Sequence, residues 1–167
     1  MSGERDPSGE APGGPAASPP DGVVIEPAVP DDRLDILRVL DAAMLETDAE
    51  LVGAAIGDGD AVVARFDRTG AVVGALVATR PKPGRLHVDA VAVRRPRRGR
   101  GIGSALVAGE VRRGERDPET RAVTAEFDAE LTGFYRNLGF DVASVADDDG
   151  SDGRFWGRQR VRDDSVE

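Results

Sequence analysis

The chain has 167 residues, enough for one domain with a sizeable core, and it contains no cysteine, which excludes disulfides and thiolate–metal sites. Its formal net charge is −9, and Lys82 is the single lysine among 22 basic residues. Such an acidic, arginine-dominated surface argues against general nucleic-acid or anionic-membrane binding, and apolar runs such as Ala71–Ala78 are too short to span a bilayer.

Residues 1–21 are dominated by Pro, Gly, Ser and Ala. They cannot bury enough apolar surface to offset their ordering entropy, so a disordered N-terminal tail is expected there. The same start lacks the basic and apolar regions of a signal peptide, which favours a cytoplasmic location. Val23–Val29 is a strand candidate. Pro30, Asp31 and Asp32 offer a helix start, with Leu34, Leu37, Leu40 and Met44 following at helical spacing. Asp48–Ile56 reads as a second helix, ended by Gly57 and Gly59. Ala61–Phe66 and Ala71–Thr79 read as a hairpin across Asp67–Gly70, and Leu86–Val93 as the next strand.

Ile102, Ala105, Leu106 and Gly109 mark the inner face of a third helix. Arg121–Phe127 follows as a strand. Leu131, Phe134, Tyr135 and Leu138 then share one helical face, and Gly139 is a natural stop. Asp141–Ala146 and Arg154–Arg162 close the chain as a hairpin over the acidic Asp147–Gly153, before a frayed end at 163–167. The order predicts a mixed α/β layer fold with antiparallel pairs and one central parallel crossing, filling residues 22–162 as one domain.

Chemistry concentrates in Leu86–Ser104, where a strand enters a basic, glycine-containing loop that opens a helix. The first N–H groups of a helix lack intrahelical partners and suit a phosphate group. Gly101 and Gly103 permit close approach, and Arg97, Arg98 and Arg100 add positive charge. A Walker-type loop would need a lysine after Gly103, and a dinucleotide fingerprint would need glycine where Leu106 stands, so neither fits. The five arginines of Arg94–Arg100 also admit a nucleic-acid reading, but no aromatic residue for base stacking lies among them. Arg94 and Arg95 read equally well as a solvated face.

The run Arg98-Gly99-Arg100-Gly101-Ile102-Gly103 resembles the pyrophosphate loop of the GNAT (GCN5-related N-acetyltransferase) family, following a strand that ends Val91-Ala92-Val93. Ile25-Glu26-Pro27-Ala28 with Asp31-Asp32 resembles the family's opening, and Phe134–Phe140 its late FYxxxGF signature. The likeness spans Val23 to Arg162. It implies the GNAT-type fold: a largely antiparallel mixed sheet with one parallel, splayed pair and helices on both faces. It further implies an N-acetyltransferase with acetyl-CoA as co-substrate and an amine as acceptor, small molecule or protein. A module of the same fold that binds acyl-CoA without turnover is the alternative.

Carried over, Val91, Ala92 and Val93 would meet the pantetheine arm through the main chain, and Arg98, Gly99, Arg100, Gly101, Ile102, Gly103 and Ser104 the pyrophosphate. Tyr135 occupies the family's general-acid position, although its spacing alone reads as packing. Asp89, His87 and Glu126 are candidates for taking the amine's proton, with Asp89 first because burial in an apolar strand would raise its carboxyl's pKa. His87 and Asp89 are expected on the strand face of Val91 and Val93. Asp128 stands where the family often has a cofactor-contacting asparagine; when ionised it cannot donate, so a helix cap is its other reading. No metal site is expected. Asp41, Glu46, Asp48 and Glu50 could give the acceptor side an acidic rim. Phe155 and Trp156 read either as core or as aromatics of a homodimer interface.

Overall fold

The computed structural model describes residues 18–43, 45, 47–144 and 154–161. Most of the expected N-terminal tail, the Asp147–Gly153 connection and the 163–167 end lie outside the described residues. The elements are β1 (Val23–Pro27), α1 (Arg33–Ala42), α2 (Ala49–Asp58), β2 (Ala61–Phe66), β3 (Val72–Lys82), β4 (Arg85–Val93), α3 (Ile102–Arg116), β5 (Ala122–Asp128), α4 (Thr132–Asn137), β6 (Asp141–Ser144) and β7 (Arg154–Arg160). The described strands form a seven-stranded sheet in the order β1-β2-β3-β4-β5-β7-β6, antiparallel except at β4–β5.

Local chemistry sets several boundaries. Asp48 caps α2 by accepting the Glu50 N–H at 2.9 Å, and Gly59 ends that helix with φ of 78°. Val29 N–H donates to the Asp32 carboxylate at 2.9 Å, shaping the single 3-10 turn before α1. Burial pushes the Asp32 carboxyl upward, but hydrogen bonds from Arg65 and Val29 outweigh it and hold the group below its ordinary value. One expected boundary moves substantially. β3 runs on through Pro81 to Lys82 and pairs with Arg85, turning at Gly84 with φ of 84°.

Two apolar layers flank the sheet. On one face α1 and α2 place Ile36, Val39, Leu40, Val52 and Ile56 against Val63, Ala75, Val77, Ala90 and Ala92. On the other, Ile102, Leu106, Val107 and Val111 of α3 and Tyr135 and Leu138 of α4 cover Val62, Leu76, Val88, Val123 and Phe127. Leu76 and Leu106 are fully buried, each contributing roughly 1.5–3 kcal/mol by leaving water. Gly74 lets α3 approach closely, since a Cβ there would lie 3.1 Å from Leu106 and 3.2 Å from Ile102 and the Ala92 carbonyl oxygen.

Candidate functional site

The site begins where the parallel pair comes apart. β4 and β5 pair from Arg85↔Ala122 to Val88↔Ala125 and no further. Beyond that point β4 continues beside β3, and β5 beside β7. Val77 stands opposite Ala90 and Ala78 opposite Val88, which leaves Asp89 as the extra residue of a β-bulge. Arg94 N–H bonds to Val73 O at 2.8 Å. Peptide groups alternate along such a strand, so the N–H and C=O of Val91 and Val93 point into the gap.

The bulge also reverses the faces of β4. Leu86 and Val88 lie in the core under α3, while Ala90 and Ala92 lie in the core under α1 and α2. Val91 and Val93 pack against the α3 side. His87 therefore sits on the opposite face from Val91 and Val93, which corrects the expectation of unbroken alternation. Asp89 is exposed rather than buried within the apolar strand.

After β4 the chain makes a 3-10 turn at Arg95–Arg97 and enters α3 through glycines with positive φ, 79° at Gly99 and 87° at Gly101. A Cβ on either would meet nothing within 4 Å, so open space lies over the loop. A Cβ on Gly103 would sit 3.8 Å from both Phe134 and Val93, so the start of α3 faces the mouth of the gap. Three arginines are tied to the framework rather than held free. Arg94 Nε donates to Val72 O at 2.9 Å, Arg98 Nε donates to Val93 O at 3.0 Å, and the Arg97 guanidinium lies 4.5 Å over the Phe66 ring. Arg100 is exposed, and the Ile102, Gly103 and Ser104 amides occupy the first turn of the helix.

Tyr135 enters from α4 at the α3 side of the sheet. Its ring stacks on Phe127 at 4.2 Å and meets Phe134 and Phe140 edge-on at 4.9 and 5.2 Å. Gly157 of β7 makes room for this cluster, because a Cβ there would lie 2.9 Å from Phe127. Burial pushes the Tyr135 hydroxyl up to about 12, so it keeps its proton at neutral pH.

On the other face, His87 Nδ1 hydrogen-bonds the buried Thr124 hydroxyl at 2.8 Å, and its ring stacks on Trp156 at 5.6 Å. Arg85 lies over the same indole at 5.2 Å. Burial lowers the His87 pKa, opposed by the negative charges of Asp89 and Glu126, so the imidazole is neutral at pH 7. Sequence reading offered no signal for Thr124, Trp156 or Gly157 as parts of one site. Asp128 is exposed and makes no capping hydrogen bond; its carboxylate accepts from Arg154 at 2.8 Å, which corrects the cap expectation. Arg154 also lies 3.5 Å from Glu126. Phe155 packs on the core and Trp156 on His87, so both aromatics are used within the chain.

An unpaired strand edge leading to a helix start is a receptor for an extended ligand that ends in phosphate. Residues 57–142 match the family described as Acetyltransferase (GNAT) domain, and the chain belongs to that family. No curated protein matches the chain. Among solved structures it resembles Ard1 from Thermoplasma volcanium, with TM-score 0.67 and 20% identity over 85% of this chain and 99% of that one. It also resembles yncA, a putative acetyltransferase from Salmonella typhimurium solved with its cofactor acetyl-CoA, with TM-score 0.69 and 16% identity over 87% and 98%. Naa50 from Arabidopsis thaliana, in complex with the bisubstrate analogue CoA-Ac-MVNAL, gives TM-score 0.65 and 16% identity over 83% and 98%. At these identities the likeness is one of fold.

Proposed function

We propose that the protein is an acetyl-CoA-dependent N-acetyltransferase. The observation that carries this reading is the gap between β4 and β5, opening at the bulge and running to the glycine loop at the start of α3, in a chain of this family. The residues fit the co-substrate: the loop glycines leave open space over backbone amides, and Val91 and Val93 turn peptide groups into the gap. Acetyl-CoA supplies the acetyl group as a thioester, which an amine attacks directly.

The main-chain groups of Val91 and Val93 would hold the pantetheine arm like an added strand, while Ala92 between them faces Ala75 of β3. The amides of Arg98, Gly99, Arg100, Gly101, Ile102, Gly103 and Ser104 hold the pyrophosphate. Arg98 fixes the loop to Val93 O, so its side chain shapes the cradle. The Val91 N–H would stabilise charge developing on the carbonyl oxygen of the bound thioester. Tyr135, protonated at working pH, would supply the proton that the departing thiolate needs.

The acceptor enters from the face of His87. Neutral His87, fixed through Nδ1 by Thr124, takes the amine's proton at Nε2, and exposed Asp89 and Glu126 attract the incoming ammonium and pass the proton to solvent. Asp128 is held by Arg154 and contributes charge at the rim. An amine on a peptide is favoured as acceptor by the analogue bound to Naa50.

Titration with acetyl-CoA by calorimetry tests this, beside a Gly101→Glu/Gly103→Glu variant. Binding that the variant loses supports the loop assignment. A folded protein that fails to bind acetyl-CoA would sink the reading. Binding without turnover across a panel of amines would favour the non-catalytic acyl-CoA module instead.

A further inference from the structure

The far half of α3 carries a second basic site that the loop at its start does not use. Arg112, Arg113 and Arg116 line a pocket of about 140 Å³ over a floor of Ile25, Val62 and Gly109. Gly109 lets α3 lie close on β1 beneath the arginines, because a Cβ there would lie 3.1 Å from Ile25. Among the described residues neither Arg112 nor Arg116 has an ion-pair partner. Arg113 is shared with Asp60 at 3.6 Å and Glu110 at 4.0 Å. The acid at the rim, Glu26, is turned to Arg65 at 2.6 Å, which it shares with Asp32.

In a chain of net charge −9, three arginines lining one pocket, two of them without an ion-pair partner among the described residues, is the reverse of what the overall charge favours. Basic residues do offset the dipole at a helix C-terminus. That role needs no pocket. The volume, equal to four or five waters at about 30 Å³ each, suits a four-oxygen anion. Guanidinium forks match the oxygens of phosphate in geometry and charge.

We propose that this pocket binds a phosphate group, held by Arg112 and Arg116 with Arg113 beside them. The site is separate from the cofactor loop: Arg116 lies roughly 21 Å along the helix axis from Ile102 at the α-helical rise.

The test is calorimetric titration with inorganic phosphate and, in parallel, glycerol 3-phosphate, at fixed ionic strength. Phosphate also suits the loop, so the titrations use a Gly101→Glu chain in which the loop is blocked. Saturable binding is expected there, with shifts of the Gly109 amide and the arginine Nε–H signals in NMR. Adding Arg112→Gln/Arg116→Gln should weaken it on the order of tenfold or more, since two charge-assisted contacts are lost. Binding of both probes identifies a free-anion site, and binding of the ester alone a site for a phosphorylated small molecule; each supports a phosphate pocket. No binding in the loop-blocked chain, or binding that survives the double substitution in a protein with an unchanged thermal midpoint, overturns it.

Discussion

Tyr135 and His87 lie on opposite faces of the sheet, and each environment sets one protonation state. Three phenylalanine rings surround Tyr135 and desolvate its hydroxyl, so it remains a donor up to about pH 12. Tyr135→Phe keeps the packing and removes the proton, so kcat should fall by roughly 10²–10⁴-fold with acetyl-CoA affinity unchanged, read by steady-state kinetics and calorimetry. Equal kcat in the variant would return Tyr135 to a packing role. His87 is half-buried and its pKa lies below the ordinary histidine value. The required form is the neutral one, so activity should rise with pH through that lowered pKa and be level by neutral pH. His87→Gln should abolish that acid limb and leave a slower rate. A limb that persists in His87→Gln would assign it to Asp89 or Glu126 instead.

At the scale of elements, α3 joins a loop that favours anions to a helix body with an unusual buried acid. Glu110 is fully buried, and neither carboxyl oxygen has a hydrogen-bond partner among the described residues. Burial pushes its pKa up to about 8, with Arg113 pulling it down and Asp60 pushing it up. The folded state thus holds this proton more tightly than the unfolded chain. Stability from this group is complete below pH 4.5 and is lost as pH rises to about 8. Glu110→Gln mimics the protonated form. It should match the native chain near pH 4 and be more stable above pH 8, by on the order of a few kcal/mol in denaturant unfolding. Equal stability of the two proteins at pH 9 would show that Arg113 or internal water satisfies the carboxylate.

Taken whole, the molecule places a net charge of −9 on a 17.6 kDa chain. Two of its buried carboxylates are paired locally, Asp32 with Arg65 at 2.9 Å and Asp60 with Arg80 at 2.9 Å, while many other acids stand in solvent. Screening weakens exposed repulsion more than partly buried pairs. The thermal midpoint should therefore rise between about 0.01 and 1 M NaCl, where the Debye length falls from roughly 30 to 3 Å. A midpoint that falls with salt would mean that local ion pairs outweigh the net repulsion.

Much of this architecture was legible in the sequence because its signals are local. The valine- and alanine-rich run Ala61–Phe66, the shared face of Phe134, Tyr135 and Leu138 and the stop at Gly139 each act over a few residues, and the strand and helix order followed from them, although Leu131, expected on that face, is exposed in the 3-10 turn before α4. The loop Arg98–Ser104 was legible for the same reason, since positive-φ glycines and orphan helix N–H groups are properties of a short run. What the tertiary structure decided depends on partners distant in the chain. A regular strand over Leu86–Val93 would put His87 on the face of Val91 and Val93, and only its register against β3 reveals the bulge at Asp89 that turns His87 away from them. Asp128 looked like a cap until β7 brought Arg154 to it, and Thr124, Trp156 and Gly157 acquire their roles only once β5 and β7 lie side by side. Periodicity records which residues face inward; strand register and cross-sheet neighbours, set by the packing of the whole chain, decide which of them meet.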